Sequence, residues 1–126
     1  MNKIIKQIEL LKKTKKIGLC HGAYDVVHIG HIKHFNYCKK FCDILIVSVT
    51  DDKFIKKGFD RPIFDIQKRI EFLSNISSID FVIRSDEFSA VSNIKLIKPH
   101  IYFKGSEYKK KDLIGNLKKE INTLKK

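Results

Sequence analysis

The chain has 126 residues, of which 43% are hydrophobic, and this length and composition suit one globular domain with a single core. No apolar run is long enough to cross a membrane, and the net charge of +12 comes mostly from lysines spread along the whole sequence. Residues 1–16 carry apolar side chains at helical spacing without a continuous apolar stretch. They predict an amphipathic helix, not a signal peptide, and therefore a cytoplasmic protein.

Short apolar segments then alternate with longer stretches that have helical spacing. The predicted strands are 16–20, 43–49, 79–83 and 100–104. The predicted helices are about 30–41, 65–76, 88–98 and 112–126. Strands that alternate with helices in this way predict an α/β fold, a doubly wound, Rossmann-like parallel sheet in three α/β/α layers. We expect residues 1–126 to form one domain.

The most unusual segment is HGAYDVVHIGH, residues 21–31, which directly follows the first predicted strand. Ligands of open parallel sheets bind beyond the carboxyl ends of the strands, so a binding site is expected here. The segment matches neither the G-x-G-x-x-G fingerprint nor the G-x-x-x-x-G-K-[ST] phosphate loop. Gly22 would permit a tight turn, and Gly30 would lie where the free amides of a helix start favour phosphate. His28 and His31 could hold triphosphate oxygens beside them.

The cysteines admit two interpretations. Cys20, Cys38 and Cys42 are interpreted as small buried residues of a protein in a reducing compartment. The alternatives are a zinc site formed by these cysteines with a histidine, or one formed by His28, His31 and His34. Because the sequence has no C-x2-C pair and no evident second shell of carboxylates, we expect no protein-held metal.

The positive charge also has two interpretations, a polyanionic partner or a surface covered with solvated lysines. The chain has only three arginines, although proteins that read bases rely on arginine. Its aromatic residues are not interleaved with the basic ones, as they would be in a platform for single strands. We therefore expect a local phosphate site and no nucleic-acid partner.

Three segments carry a resemblance to a known family. GAYDVVHIGH resembles the G-x-F-D…H-x-G-H signature of the cytidylyltransferase-like nucleotidyltransferase superfamily. Residues 43–83 resemble its second strand, lysine loop, R-P-I segment, arginine-bearing helix and third strand. KPHIYFKGSEYK, residues 98–109, is similar to the K-P-D-x-x-x-K-G-x-D-Y segment of heptose 1-phosphate adenylyltransferases. It is less similar to the G-D-D-W segment of glycerol 3-phosphate cytidylyltransferases. The resemblance covers roughly residues 15–115.

This resemblance implies the transfer of a nucleoside monophosphate from a nucleoside triphosphate to a phosphorylated sugar or polyol. A phosphate oxygen of the acceptor attacks the α-phosphorus and pyrophosphate leaves, with Mg²⁺ bound through the triphosphate. Adenylyl transfer to a sugar 1-phosphate is favoured over cytidylyl transfer to glycerol 3-phosphate or a similar polyol phosphate. The family is compatible with a homodimer. Because no long apolar run occurs, we expect no membrane partner.

The resemblance also implies roles for matching residues. The catalytic residues would be His28, His31 and Lys57. The nucleotide would be bound by Gly22, Ala23, Tyr24, Gly30, Lys104, Gly105 and Glu107, with Ala23 and Tyr24 acting through their backbone amides. The acceptor side would have Asp25, Lys56 and Arg69.

Several of these roles have alternatives. Lys56 and Lys57 could be solvated surface lysines, and Asp25 could cap the following helix. Arg69 could contact substrate or lie at a subunit interface, and the Arg61–Pro62 pair could only shape its loop.

The sequence also departs from the family pattern. Tyr24 stands where phenylalanine is common, and Glu107 replaces the usual aspartate. The chain ends at Lys126, before the I-S-[ST]-[ST] turn that caps a helix against the triphosphate. We therefore expect a domain truncated at its C-terminal end, and the alternative function is a nucleotide-binding but inactive fragment.

Overall fold

A computed structural model describes residues 2–55, 62–87 and 89–104, which form a parallel sheet with helices on both faces. The elements are α1 Asn2–Lys12, β1 Ile17–Gly22, α2 Ile29–Lys39, β2 Ile44–Thr50, α3 Ile66–Ser74, β3 Phe81–Ser85, α4 Val91–Ile97 and β4 Ile101–Phe103. A short 3-10 turn, Asp52–Phe54, follows β2. The predicted helix at 112–126 lies outside the described residues.

The four strands are all parallel and lie in the order β3-β2-β1-β4. Cys20 of β1 is opposite Val47 of β2 on one side and Phe103 of β4 on the other. The strand order therefore reverses between β1 and β4, which makes their carboxyl ends the topological switch point of the sheet. The predicted doubly wound parallel sheet is confirmed.

Both faces of the sheet are covered by helices. Leu19 of β1 lies in a buried cluster with Ile8 of α1 and Ile94 of α4. Its neighbour Cys20 points to the opposite face and packs in a second cluster with Phe35 of α2 and Leu73 of α3. Burial on both faces explains why the strands read as nearly continuous apolar runs.

The first strand is longer than predicted. It continues through His21 and Gly22, because their backbone pairing with Ser48 and Val49 of β2 is maintained. The expectation that Gly22 forms a tight turn is therefore wrong. The loop between β1 and α2 begins at Ala23.

Other boundaries shift for local reasons. The third strand begins at Phe81, two residues later than predicted. Helix α4 ends at Ile97 because Lys98 adopts a left-handed conformation (φ 52°) and its N–H bonds the carbonyl of Ile94. Within the described residues, no helix is long and apolar enough to cross a bilayer.

Candidate functional site

The centre of the candidate site is the start of α2, where two histidines cap the helix. His28 is the N-cap residue, and its Nδ1 accepts a hydrogen bond of 3.0 Å from the N–H of Gly30. The Nδ1 of His31 accepts one of 3.2 Å from the N–H of His28. The arrangement is a capping box built from imidazoles, and it satisfies amide groups that a helix start leaves without partners.

These hydrogen bonds determine which ring nitrogen carries the proton. A backbone N–H is always the donor, so the Nδ1 atoms of His28 and His31 are acceptors without a proton. The neutral rings are therefore Nε2–H tautomers. The ring centroids lie 4.2 Å apart, and the His28 side chain is exposed, so two imidazoles stand together beside a helix N-terminus. This combination suits an anion.

Gly30 is required by the position of the His28 ring. A Cβ atom at residue 30 would lie 2.7 Å from Cε1 and 2.9 Å from Nδ1 of His28. Real Cβ atoms do not approach other atoms so closely, so any side chain here would push the imidazole away. The glycine between the two histidines thus allows the ring to lie over the first helical turn.

Tyr24 supports the pair from the core. Its side chain is buried, and its ring makes an edge contact with His31 (centroids 5.7 Å apart) and a tilted contact with Phe35 (5.4 Å). Its backbone is left-handed (φ 50°), a conformation that costs a non-glycine residue of order 1 kcal/mol. The loop between β1 and α2 is therefore held in a strained form by packing.

Asp25 connects this loop to the segment that precedes α3. Its two carboxylate oxygens accept hydrogen bonds from the N–H groups of Ile63 (2.9 Å) and Phe64 (3.0 Å). Since His28 is the N-cap of α2, the alternative that Asp25 caps this helix is wrong. The contacts instead support a role in orienting the loop.

Arg69 lies beneath the site, where its side chain is almost completely buried. Its Nη1 donates to the carbonyls of Ala23 (2.7 Å) and Thr50 (2.6 Å), and its Nε donates to the carbonyl of Phe64 (2.9 Å). Its Nη2 forms an ion pair with Asp52 at 2.5 Å. A single guanidinium therefore joins the segments that follow β1 and β2 to the one that precedes α3.

A chain of polar side chains lies on the α4 side of the same sheet edge. Asn93 donates to Ser48 Oγ (2.5 Å), which is bonded to His21 Nδ1 (2.9 Å). His21 Nε2 lies 3.5 Å from Thr50 Oγ1, which donates to the carbonyl of Gly22. Sequence reasoning missed this chain. The sequence carried a signal for it, since the polar residues of β1 and β2 lie near the carboxyl ends of these strands.

Sequence analysis also missed the ion pair of Asp51 and Arg84, which follows the end of β2. Asp51 is buried and forms an ion pair with Arg84 of β3. Burial acts to raise the pKa of Asp51, but the hydrogen bond and charge of Arg84 outweigh it, so this pKa lies below its ordinary value.

The remaining predicted residues fall into two groups. Lys104 directly follows β4, next to the carboxyl end of β1, and its Nζ lies 5.2 Å from the ring centroid of Tyr102. Four of the predicted residues, Lys56, Lys57, Gly105 and Glu107, lie outside the described residues. The structure thus brings the loop and helix residues 22–31 together with Arg69.

The family of the chain follows from comparison with known proteins. The family described as Cytidylyltransferase-like matches residues 19–125, which is most of the sequence. The chain belongs to the cytidylyltransferase-like family. The family predicted from the H-x-G-H signature is confirmed.

Several curated relatives of this chain carry the name bifunctional protein HldE. The one from a Nitratiruptor species is 35% identical over 119 residues, which cover 92% of this chain and 26% of that protein. The one from Campylobacter jejuni subsp. doylei is 38% identical over 108 residues, covering 84% of this chain and 23% of that protein. The chain thus spans about a quarter of the length of the curated relatives it matches.

A solved structure shows the same fold. The crystal structure of the lipopolysaccharide core biosynthesis protein from Thermoplasma volcanium superposes with a TM-score of 0.68 at 26% identity. The alignment covers 83% of this chain and 88% of that one. The fold of this chain is therefore also found in a solved protein.

Proposed function

We propose that this domain transfers a nucleoside monophosphate from a nucleoside triphosphate to a phosphorylated sugar, releasing pyrophosphate. The observation that carries the proposal is the imidazole capping box of His28 and His31 around Gly30, at the carboxyl end of the central strand. In an open parallel sheet this edge is where ligands bind, and a helix start with two imidazoles suits a triphosphate.

In the proposed reaction, a phosphate oxygen of the acceptor forms a bond to the α-phosphorus. The bond from that phosphorus to the bridging oxygen of pyrophosphate breaks, and no covalent enzyme intermediate forms. The Nε2–H groups of His28 and His31 donate hydrogen bonds to oxygens whose negative charge changes during this step. Such donors are fixed before the reaction, because the capping hydrogen bonds hold both rings.

The other predicted residues keep the roles that the family resemblance implies. Lys57, with Lys56, holds the phosphates of acceptor and triphosphate, and Gly105 and Glu107 line the nucleotide side. Lys104 belongs to the same side, and its position beside the switch point supports that role.

Arg69 and Asp25 act as positioning residues. Arg69 fixes the Ala23 carbonyl at the start of the loop, and Asp25 fixes the loop to residues 63–64. Because the loop is held on both sides of Tyr24, it can bind the triphosphate with little loss of conformational entropy, and the backbone amides of Ala23 and Tyr24 are the proposed contacts.

We propose Mg²⁺ as the divalent cation of the reaction, held mainly by the triphosphate. The residues present fit this arrangement. Asp25 is the carboxylate in the same loop as the histidines, and each of its oxygens accepts a hydrogen bond from a backbone amide, so the triphosphate is left as the main ligand of the cation. Mg²⁺ commonly binds through substrate phosphates and water with few protein ligands, and it neutralises phosphate charge there.

For the nucleotide and the acceptor, we propose ATP and a sugar 1-phosphate, as in heptose 1-phosphate adenylyltransferases. The resemblance of the KGSEY segment and the HldE relatives support this choice. Cytidylyl transfer to glycerol 3-phosphate is the second candidate, and a nucleotide-binding but inactive fragment is the third. A homodimer, a cytoplasmic location and the lack of a nucleic-acid partner remain predictions.

Calorimetric titration with ATP and with CTP, each with Mg²⁺, tests the nucleotide site. We expect selective binding of ATP, weakened at least ten-fold in a His28→Ala, His31→Ala double variant. His100→Gln is the matched control, because His100 contacts Ile17 at the opposite, amino end of the sheet. Equal binding by the double variant would contradict the proposed site.

Pyrophosphate release with heptose 1-phosphate or glycerol 3-phosphate as acceptor then tests the reaction. Release with the heptose phosphate supports the main proposal, and release with glycerol 3-phosphate and CTP supports the second candidate. Tight nucleotide binding without release across a broad set of acceptors would indicate an inactive fragment.

A further inference from the structure

A second cluster of reactive side chains lies away from the histidine pair, between β1 and α2. Among the described residues, the ligand atoms of Cys20, His34 and Cys38 all lie within 4.8 Å of one another. Cys20 and Cys38 are buried and form no disulfide, and His34 is half-buried. The proposed reaction uses none of these side chains.

The local sequence explains why the cluster forms. His34 and Cys38 are four residues apart on α2, so they lie on the same face of the helix. Cys20 points to the sheet face that α2 covers. Gly18 lies two residues earlier on that face. Because it has no side chain, the segment after α2 can lie close to β1; a Cβ at residue 18 would be 2.8 Å from Cys42 Sγ.

The distances fit a metal ion. His34 Nε2 and Cys38 Sγ are 3.5 Å apart. With Zn–S about 2.3 Å and Zn–N about 2.0–2.1 Å, a tetrahedral site places sulfur and nitrogen about 3.5 Å from each other. A thiol–imidazole hydrogen bond has a similar length, so the experiment has to separate these two arrangements.

We propose that Cys20, His34 and Cys38 bind a borderline-soft divalent cation of the zinc class. Two thiolates and one imidazole form a donor set that prefers such an ion, and the fourth tetrahedral position takes water. On binding, the two thiols release their protons to solvent, and the imidazole coordinates in its neutral form.

The proposed ion has a structural role, because its ligands lie on two different elements of the fold. Cys20 lies on β1 and the other two ligands lie on α2, and these elements flank the loop that carries His28. A bound ion therefore ties together the two ends of residues 20–38 and reduces the freedom of the loop between them. Half-buried His34 provides the side from which an ion can reach the thiols.

Cobalt titration of the reduced, metal-free chain tests the site without any nucleotide. We expect one Co²⁺ per chain, with a thiolate-to-cobalt charge-transfer band and the intense visible bands of tetrahedral cobalt, both removed by Zn²⁺. His34→Gln and Cys38→Ser should weaken Co²⁺ binding at least ten-fold. Native mass spectrometry with Zn²⁺ gives the stoichiometry independently.

Two control variants make the result specific. Cys42 is excluded from the ligands because its Sγ donates to the carbonyl of Cys38 (3.6 Å), so Cys42→Ser should keep the full cobalt spectrum. His100→Gln should keep it too. Circular dichroism checks that each variant is folded. His34→Gln is the variant least expected to disturb folding, because His34 is half-buried and both buried thiols stay in place.

The proposal is overturned if the reduced chain gives no tetrahedral thiolate spectrum, or if His34→Gln and Cys38→Ser bind Co²⁺ as tightly as the unchanged chain. A Cys20–Cys38 disulfide that forms in air, without metal uptake under reducing conditions, would also overturn it. Since the readout needs no substrate, these failures are distinct from a failure of the nucleotidyltransferase proposal.

Discussion

Arg69 and Ala23 are 46 residues apart in the sequence, and a hydrogen bond of 2.7 Å from Arg69 Nη1 to the Ala23 carbonyl joins them. The same nitrogen donates to the carbonyl of Thr50, so the segment after β1 and the last residue of β2 are held by one group. The backbone conformation of the candidate site thus depends on a side chain from α3.

Arg69→Lys tests this dependence. Lysine keeps the charge but cannot serve four acceptors in the planar geometry of a guanidinium, so buried carbonyls lose their donors. We expect a loss of about 2–4 kcal/mol in the free energy of unfolding, measured by urea denaturation, together with weaker ATP binding.

The matched control for Arg69 is Lys68→Gln, an exposed replacement on the same helix, which should change stability by less than about 0.5 kcal/mol. If Arg69→Lys leaves stability unchanged and raises only the KM for the acceptor, Arg69 is a substrate contact and the positioning role is wrong.

Gly30→Ala separates helix stability from function. Alanine is favoured over glycine in a helix by about 0.5–1 kcal/mol, which offsets the capping hydrogen bond that a displaced His28 ring would lose. The free energy of unfolding should therefore change by less than about 1 kcal/mol. The new Cβ would displace the His28 imidazole, so we expect ATP affinity and turnover to fall about ten- to hundred-fold. Asn36→Ala, at an exposed position of α2, controls for the added alanine. Full activity in Gly30→Ala would show that the position of the His28 ring does not matter.

Asp25→Asn tests the contact between the loop and residues 63–64. An amide is neutral and has one acceptor oxygen, so one of the two backbone N–H groups loses its acceptor and the other keeps only an uncharged one, which costs about 1–2 kcal/mol. Hydrogen exchange should become faster at Ile63 and Phe64. Asp65→Asn is the control, because asparagine replaces aspartate well at an N-cap and Asp65 caps α3. Unchanged protection at both amides would contradict the prediction.

The ion pair of Asp51 and Arg84 predicts a dependence of stability on pH. Because the pKa of folded Asp51 lies below the unfolded value of about 3.9, its stabilising contribution is complete above that pH. The contribution is lost as the pH falls through the lower, folded value. Arg84→Gln should therefore be less stable than the unchanged chain at pH 7, and the difference should shrink below about pH 4.

Thermal unfolding of both chains between pH 7 and pH 3 measures this difference. A difference in Tm that stays constant across the whole range would show that Arg84 acts through packing and not through the charge of Asp51.

Much of the fold could be predicted from the sequence, because it depends on local patterns. The apolar run at 43–49 predicted a strand covered on both faces, and Asp65 predicted the start of a helix; both are found. The segment that holds His28 and His31 follows the first strand, and parallel strands place such segments at one edge of the sheet. The order of these segments was therefore enough to indicate where the candidate site lies, whereas the family was indicated by the resemblance of its motifs.

The tertiary structure decided which distant residues meet. That Arg69 supports the loop, that His21 belongs to a polar chain with Asn93, and that Cys20 lies beside Cys38 all depend on how helices pack on the sheet. The physical reason is that the spacing of side chains determines which residues share one face of a helix or strand. Which other element packs on that face depends on the strand order and on close approaches of the backbone such as the one at Gly18.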